Sequence, residues 1–432
     1  MAFSSSALFI RLTKVMENVE LFLYLHQVFN VFDDFKMNIA IYILTSELHD
    51  ENAISKVTND FLGSLQADFV FMGNDYSDYG SHSLNLIYIR TGGTEGLFKR
   101  MLSKLRSRTD RPFYLLTSGK SNSLAASMEI LSFLRQNGLK GEILHGSPDY
   151  ISKRINLLAK VGEAKRKLKG NRLGIIGEPS DWLISSYADR NLIKGVLGLD
   201  LVDIPMQELL NVIASTPIKE PKERGLRSNI SQALPGAYQI YDALKVIVQQ
   251  YQLQGFTIRC FDLLTALHNT GCLALAKLNA EGIVAGCEGD VPAMLSMRIA
   301  QSLLDVSGFQ ANPASIDPET GRMLFAHCTI PLNMVEHYEL DTHFESGIGV
   351  AINGYMKEGP VTIFKVAGDL SRHFIAEGEL MESQSNPDLC RTQQIIQLTD
   401  KKQATYFLTE PIGNHHIILP GHHKTLLEEM VR

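Results

Sequence analysis

The sequence predicts an α/β protein with two doubly wound domains, each built on a parallel sheet, followed by a β-rich domain of antiparallel strands. Three observations predict this class. Strand-like runs alternate with helical segments from Met37 to about residue 305, the alternation restarts near residue 171, and mainly short strands separated by turns follow. A chain of 432 residues with 45% hydrophobic and 20% charged residues is long enough for two or three hydrophobic cores.

The first predicted domain covers residues 37–170. Its strand-like runs are rich in β-branched and aromatic residues: NIAIYIL, ADFVFM, LNLIYIR, RPFYLLTSG and KGEILHGS. Segments of helical period, such as GLFKRMLSKLRS and NSLAASMEILSFLRQNG, lie between several of them. Strands separated by helices indicate crossover connections and a parallel sheet with helices on both faces. We therefore expect a flavodoxin-like arrangement.

The second predicted domain, residues 171–305, repeats this pattern, beginning with RLGIIGEPSDWLISS and continuing through GFTIRCFDLL to the CEGD motif at 287–290. The third, residues 306–432, consists of short runs such as RMLFAHCTIPL, HFIAEGELMES and TQQIIQL, separated by Gly, Pro and Asp. Regularly spaced short strands are typical of an antiparallel sandwich or barrel, so we expect a barrel-like C-terminal domain.

The first 36 residues are apolar and aromatic, but Arg11, Lys14, Glu17 and Glu20 interrupt them too often for a membrane span. We interpret residues 1–36 as an extension that either precedes the natural start at Met37 or docks poorly. The net charge of −6 argues against binding to nucleic acid or to an anionic membrane. Five cysteines without a CxxC pair indicate reduced thiols and a cytoplasmic protein.

Two glycine-containing segments of the first domain invite comparison with phosphate-binding loops. The segment LLTSGKSNS, 115–123, lacks the first glycine of a P-loop, because Tyr114 stands at that position. A helix that begins near Ser121 could present backbone N–H groups to a ligand oxygen, but we expect simple N-capping by Ser121 or Ser123. The segment RTGGTEG, 90–96, is compatible either with a ligand crevice at the carboxyl end of a strand or with a tight turn capped by Thr94.

The motif CEGDVPAML, 287–295, places Glu288 and Asp290 two positions apart at the end of a strand-like run. Residues two apart in a strand share a face, so both acids can point into one crevice. The alternative is a purely structural role, in which Asp290 is the N-cap of the following helix and Glu288 is solvated. Several histidines lie in the third domain, and imidazole together with carboxylate suits a divalent ion such as Mn²⁺, Co²⁺ or Zn²⁺. Adjacent histidines on a strand face opposite sides, so at most one of His415 and His416 faces a given pocket.

The segments TGCLALAKLNAEGIVAGCEGDVPAML, LFAHCTIP, LDTHFESGIGVAI, GPVTIFKVAGD and GNHHIILPGHH together resemble the superfamily of L-fucose isomerase and L-arabinose isomerase. The resemblance runs from about Met37 to the end and is most specific from Cys272 onward. It implies a cytosolic aldose–ketose isomerase acting on a sugar, with a Mn²⁺ site between the second and third domains. It also implies assembly into trimers or hexamers.

The resemblance assigns roles to individual positions. It implies that Glu288 ligates the metal and helps to move the proton. For the second acid of the family, which is missing here, Asp290 is the nearest alternative, with Asp317 and Glu345 behind it. The further metal ligands that it implies are His416, His343 and Asn312. The residues expected to contact the substrate are His415, Asn414, His327 and Arg372.

Two departures from the family pattern favour alternative functions. Asn312 stands where the fucose branch has an aspartate, and an amide is a weaker ligand that cannot act as a base at neutral pH. The second glutamate of the arabinose branch, expected after LFAH, is missing. A protein that binds sugar without isomerising it is therefore one alternative. Epimerase or lyase chemistry on a sugar acid is another, and it needs a basic residue such as Arg322 or Arg372, which could instead form surface salt bridges.

Overall fold

A computed structural model describes residues 38–47 and 49–432, so the predicted extension 1–36 lies outside the described residues. By contacts between Cα atoms, the chain divides into two compact units that meet at Glu163 and Ala164. The mixed α/β class is confirmed, as is a closed antiparallel barrel at the C-terminal end. The flavodoxin-like arrangement and the division into three domains stay predictions, since the second sheet and the barrel belong to one unit.

The first unit contains a five-stranded parallel sheet in the order β2-β1-β3-β4-β5. Its strands are β1 (Ile39–Leu44), β2 (Val70–Gly73), β3 (Leu84–Ile89), β4 (Phe113–Leu116) and β5 (Gly141–Leu144). Its helices are α1 (Glu51–Gly63), α2 (Glu95–Arg106), α3 (Ser123–Gln136) and α4 (Pro148–Leu168), the last of which runs on into the second unit.

Alternate side chains of each strand enter two separate cores on the two faces of this sheet. Tyr42 and Ile87 pack with residues of α2 and α3, whereas Ile41 and Leu86 pack with residues of α1 and α4. Helices therefore cover both faces, which explains why the strands read as continuous apolar runs.

The helix starts in this unit differ from the predicted caps. The residue before α3 is Asn122, in the left-handed region at φ 57°, and it makes no capping bond from its side chain. Thr94 does precede α2, but its hydroxyl donates to the carbonyl of Thr91 instead of accepting from the helix. Predicted capping by Ser121 or Ser123 was therefore wrong, because the loop turns through left-handed backbone rather than through the extended conformation of a normal N-cap.

The second unit begins with a four-stranded parallel sheet in the order β7-β6-β8-β9. Its strands are β6 (Arg172–Ile176), β7 (Asp200–Ile204), β8 (Gly255–Ile258) and β9 (Val284–Cys287). The helices of this part are α5 (Arg190–Leu197), α6 (Met206–Ser215), α7 (Ser228–Tyr251), α8 (Phe261–Leu267), α9 (Cys272–Ala280) and α10 (Val291–Leu304). Apolar residues of α6, α7 and α9 cover one face of the sheet.

The barrel closes through six antiparallel strands in the order β10-β11-β16-β15-β14-β17. They are β10 (Phe309–Asp317), β11 (Arg322–His327), β14 (Gly359–Val366), β15 (His373–Gln384), β16 (Thr392–Leu398) and β17 (His416–Pro420). The ribbon β12 (Val335–Asp341) and β13 (Ala351–Met356), and the helices α11 (Ala404–Thr409) and α12 (Lys424–Val431), complete the unit. Phenylalanine and aliphatic side chains fill the barrel interior.

Helix α10 connects the sheet to the barrel. It follows β9 directly, and the hydroxyl of Ser296 in α10 accepts the backbone N–H of Val366 in β14 at 2.9 Å. The end of β9 therefore lies where sheet and barrel meet. Among the described helices, none is both long and apolar enough to cross a membrane.

Candidate functional site

The site is built on the sharp turn that ends β9. Glu288 adopts the left-handed region at φ 63°, which non-glycine residues seldom occupy, and Gly289 follows at φ 71°. A Cβ atom on Gly289 would lie 2.6 Å from the carbonyl oxygen of Glu178, so this position admits only glycine. The turn is strained at Glu288 and fixed by close packing at Gly289, and such strain often marks a functional position.

Asp290 lies at the start of α10 and is fully buried. Its Oδ1 accepts the backbone N–H of Ala293 at 2.8 Å, which makes it the N-cap of the helix. Its Oδ2 lies 2.8 Å from Nδ1 of His415, and because an ionised carboxylate only accepts, Nδ1–H donates. This bond fixes the orientation of the His415 ring and turns its Nε2 toward Glu288.

Glu288 meets two imidazoles and an indole. Its Oε1 lies 3.4 Å from Nε2 of His415 and 3.8 Å from Nε2 of His327, which ends strand β11. Its Oε2 accepts the indole N–H of Trp182 at 2.6 Å. The Nδ1 atom of His327 lies 3.0 Å from the hydroxyl of Thr329. In both imidazoles Nδ1 therefore has a hydrogen-bond partner, and Nε2 faces the carboxylate of Glu288.

Burial and charge oppose each other at these groups. Burial raises the pKa of Glu288, but contacts with His327 and His415 outweigh it and hold that pKa well below its usual range. Burial also raises the pKa of Asp290, whereas the charge of Lys365 and the bond from His415 lower it to about 2. Burial lowers the pKa of His415, but its two carboxylate neighbours raise it to about 9. Both acids are therefore ionised at neutral pH, and His415 is protonated.

Lys365 completes the charge balance from the barrel strand β14. Its side chain is 1% exposed, and its Nζ lies 3.5 Å from Oδ2 of Asp290. Burial lowers the pKa of Lys365, against the raising effect of Asp290. Two carboxylates, one imidazolium and one ammonium thus occupy a buried cluster in which charge is balanced, as burial of ionised groups requires.

The arrangement of donor atoms fits a divalent cation. Glu288, His327 and His415 each offer one ligand atom, and these atoms lie within 4.8 Å of one another. The Nε2 atom of His415 is buried and has no hydrogen-bond partner within the described part of the chain. One carboxylate and two imidazoles suit Mn²⁺, Co²⁺ or Zn²⁺ better than Mg²⁺ or Ca²⁺. The bond from Asp290 to the far nitrogen of His415 is typical of the support that ligating histidines receive.

His416, which was predicted as a ligand, is not among the three described residues whose ligand atoms come together, and alternation along the chain turns it away from the side that His415 faces. His416 pairs with Ala311 of β10 and faces the barrel interior. There its Nε2 lies 3.0 Å from the hydroxyl of Tyr406, and its ring contacts those of Phe374 and Phe407. The structure brings His415, expected to contact the substrate, to Glu288 instead.

The other predicted residues lie at varying distances from this group. His343 contacts the ring of Phe261, and burial together with the charge of nearby His327 lowers its pKa to about 4. Asn312 lies on β10, and its side-chain oxygen is buried without a hydrogen-bond partner among the residues described. Asn414 is exposed, and its backbone oxygen contacts Nδ1 of His416.

The remaining candidates are exposed. The carboxylate of Asp317 accepts the hydroxyl of Thr320 in a turn after β10, and Glu345 lies in an exposed segment. Arg322 forms a surface salt bridge with Glu382. Arg372 is also exposed, and it lies at a cavity that Lys365 reaches. The structural alternative is confirmed in that Asp290 is the N-cap of α10. It is wrong in that Glu288 is not solvated, since its side chain is only 12% exposed.

Sequence reasoning missed two residues of the cluster. Lys365 stands in the middle of the apolar run VTIFKVAG, where a buried charge requires a partner, and this signal could have identified it. Trp182 is the only tryptophan of the chain and follows the carboxyl end of β6, where ligands bind in open parallel sheets. His327 was assigned to the substrate rather than to the cation, since nothing in its neighbourhood indicates which ring nitrogen is free.

Comparisons with known proteins point to sugar isomerases. The chain is 25% identical over 263 residues to proteins named sulfoquinovose isomerase from Priestia aryabhattai and Priestia megaterium, covering 57% of this chain. It is 24% identical over 221 residues to a protein of the same name from Clostridium sp. (strain MSTE9), covering 48% of this chain. The chain spans 59% of the length of the two Priestia proteins and 49% of the Clostridium protein. No family model matches the chain.

Proposed function

We propose that the chain is an enzyme that interconverts an aldose and a ketose. The observation that carries this proposal is the buried group of Glu288, His327 and His415, whose ligand atoms lie within 4.8 Å of one another. Similarity to proteins named sulfoquinovose isomerase supports the reaction class. The resemblance to the superfamily of L-fucose and L-arabinose isomerases, carried by the CEGD and NHH motifs, supports it independently.

The three residues would hold one divalent cation, with Mn²⁺ as the first candidate. A cation bound there would supply Lewis-acid stabilisation for the negative charge that develops on two neighbouring sugar oxygens. Asn312 has a buried, unbonded oxygen, and we propose it as an additional ligand to the cation or the sugar. We propose that His343, which lies close enough to His327 and Glu288 to feel their charges, contacts the substrate rather than the cation.

Glu288 is the residue we propose to move the proton between C1 and C2 of the sugar. Its carboxylate lies beside the Nε2 atoms of both imidazoles, and a positioned acid–base group contributes about 10²–10⁴-fold to a rate. The indole N–H of Trp182 holds Oε2 and thereby fixes the plane of the carboxylate. Its ring is half exposed, which places an aromatic face where the apolar side of a sugar ring can stack.

We propose that Asp290 orients His415 rather than acting as the second catalytic acid. The carboxylate is 0% exposed, and its two oxygens are engaged by Ala293 and His415. The ring of His415 therefore lies between Asp290 and a substrate bound at Glu288. This assignment explains why the two acids of the CEGD motif, although close in sequence, have different surroundings.

For the substrate, the assembly and the compartment, the comparisons and the resemblance supply only the candidates that we propose. Sulfoquinovose, L-fucose and L-arabinose are the sugars that we propose to test first. A trimer or hexamer in the cytoplasm stays part of the proposal, and sedimentation velocity of the purified protein would measure the assembly.

The test is a turnover screen of the Mn²⁺-loaded protein against these three sugars and other aldoses, with formation of the ketose followed by NMR. We expect turnover of at least one sugar, loss of that turnover on chelation, and a fall of about 10²–10⁴-fold in Glu288→Gln. The matched control is Glu382→Gln, which removes an exposed carboxylate far from the sheet edge. A protein that binds a sugar without converting it, with or without metal, would refute the isomerase assignment and leave the binding function.

A further inference from the structure

One cavity of the second unit is lined in part by Lys365 of the charged cluster. It has a volume of about 200 Å³ and is partly open to solvent. Its lining includes Lys365, Arg372, Ser186, Ser371 and Gly413. Within the described part of the chain, Glu288, His327 and His415 do not line it, so the cavity is separate from the atoms that would hold the cation.

Lys365 is the feature of this cavity that requires explanation. Its Nζ is buried and makes no hydrogen bond to the residues described, although it lies 3.5 Å from Oδ2 of Asp290. That oxygen is already engaged by His415 at 2.8 Å. An ammonium group has three N–H donors and no acceptor, and buried charged donors left without partners are costly. The remaining donors of Lys365 therefore need an acceptor in the cavity.

The other polar groups favour an anion as that acceptor. Arg372 supplies a second positive charge on an exposed side chain, and Ser186 places a hydroxyl group in the lining. A Cβ atom at Gly413 would lie 3.7 Å from the Ser186 hydroxyl and 4.0 Å from Nζ of Lys365, so this residue lies beside both groups. Asp369 also lines the cavity, but its carboxylate is exposed and accepts the backbone N–H and the hydroxyl of Ser371.

We infer that this cavity binds a small oxyanion such as phosphate or sulfate, with Lys365 as the buried anchor and Arg372 at the entrance. A tetrahedral oxyanion offers several acceptor oxygens to the unused N–H groups of Lys365. A volume of about 200 Å³ accommodates such an ion together with water, since one liquid water occupies about 30 Å³. The inference is independent of the proposed isomerase activity, because it uses neither the cation nor the sugar.

Isothermal titration calorimetry of the full chain with inorganic phosphate and with sulfate tests the inference. We expect binding at one site, weakened at least about tenfold by Lys365→Met, which keeps the length of the side chain and removes its charge. Arg372→Gln is expected to weaken it about threefold, as for an exposed charge. Arg322→Gln is the matched control, because that arginine is exposed and pairs with Glu382 outside the cavity.

Should Lys365→Met fail to fold, Arg372→Gln decides the matter, because its side chain is exposed. Absence of phosphate and sulfate binding to the wild-type protein overturns the inference. So does binding that both cavity variants leave unchanged. Titration with glucose 6-phosphate separates the two sources of the anion: tighter binding than inorganic phosphate assigns the cavity to the anionic group of a larger ligand, and equal or weaker binding assigns it to the free ion.

Discussion

The two faces of strand β17 carry adjacent histidines with equal burial and opposite chemistry. His415, just before the strand, and His416, its first residue, are both 0% exposed. On the outer face, Asp290 and Glu288 raise the pKa of His415 to about 9 despite burial. Inside the barrel, burial and the charge of Lys365 lower the pKa of His416 to about 3. The two imidazoles are equally buried, so the neighbouring groups determine which of them is protonated.

The contrast distinguishes a side of the barrel wall that is packed with aromatic rings from the side that carries the proposed site. The inner face packs His416 among aromatic rings, where a neutral imidazole is one more member of the core. The outer face meets the strained end of β9 and α10, which supply carboxylates that cannot be satisfied by packing alone. Ionisable groups that balance one another in a buried cluster are candidates for function, and here His415, Glu288 and Asp290 form such a cluster beside the end of the sheet.

The largest expected effect comes from removing the imidazole of the outer face. His415→Leu removes a proposed ligand and leaves Asp290 with Lys365 alone as its charged partner. We expect kcat/KM for the best substrate of the screen to fall by at least about 10²-fold. Circular dichroism of the same variant checks that the fold is retained. Activity within a few-fold of the wild type would remove the functional distinction between the two faces.

The pH dependence of cation binding sharpens the contrast, because of these two adjacent histidines His415 is the one whose raised pKa keeps it protonated near neutrality. A cation requires the neutral imidazole, so binding displaces one proton while the pH is below about 9. We expect Mn²⁺ affinity to rise about tenfold per pH unit between pH 6.5 and 8.5 and to level off above about 9. Calorimetric titrations in that range measure the slope. Affinity that is already constant above pH 7 would indicate an ordinary histidine and contradict the assignment.

Asp290→Asn tests whether the orientation of His415 matters separately from the helix start. Asparagine caps a helix nearly as well as aspartate, so α10 should be retained. Loss of the charge that orients the ligand is expected to weaken Mn²⁺ binding by about 10–100-fold. Thermal unfolding of the metal-free variant serves as the control for capping. Unchanged Mn²⁺ affinity would mean that the bond between Asp290 and His415 has no part in binding the cation.

The smallest effect is expected on the inner face. His416→Phe places a ring of similar size among Phe374, Tyr406 and Phe407, but the hydroxyl of Tyr406 loses its imidazole partner. We expect unfolding in urea to report a loss of about 1–2 kcal/mol. Mn²⁺ affinity should stay within about twofold of the wild type, because the side chain lies across the barrel wall from Glu288. A large loss of Mn²⁺ binding in this variant would restore the original assignment of His416.

Local pattern was sufficient to predict the class of fold and one part of the site. Apolar runs separated by helical segments indicated the parallel sheets, and Gly, Pro and Asp turns indicated the antiparallel barrel. Glu288 could be identified because an acidic residue at the end of a buried strand requires a polar or charged partner. The sequence could not show which of His415 and His416 is the ligand, because alternation shows only that the two side chains face opposite sides. The pairing of Ala311 with His416, which decides it, joins residues far apart in sequence.

Long-range contacts explain the other omissions. The bond from Trp182 to Glu288 spans 106 residues, and the one from His415 to Asp290 spans 125. No periodicity within one element predicts such partners. The left-handed backbone at Glu288 is followed by the tight fit of Gly289 against Glu178, a residue more than one hundred positions earlier in the sequence, and no local pattern predicts that contact.

The most direct test is X-ray diffraction from crystals of the protein grown with Mn²⁺, recorded at the manganese absorption edge. The account predicts an anomalous peak within about 2.0–2.3 Å of one carboxylate oxygen of Glu288 and of Nε2 of His327 and His415. A peak on His416, or no peak beside Glu288 at saturating Mn²⁺, would contradict it.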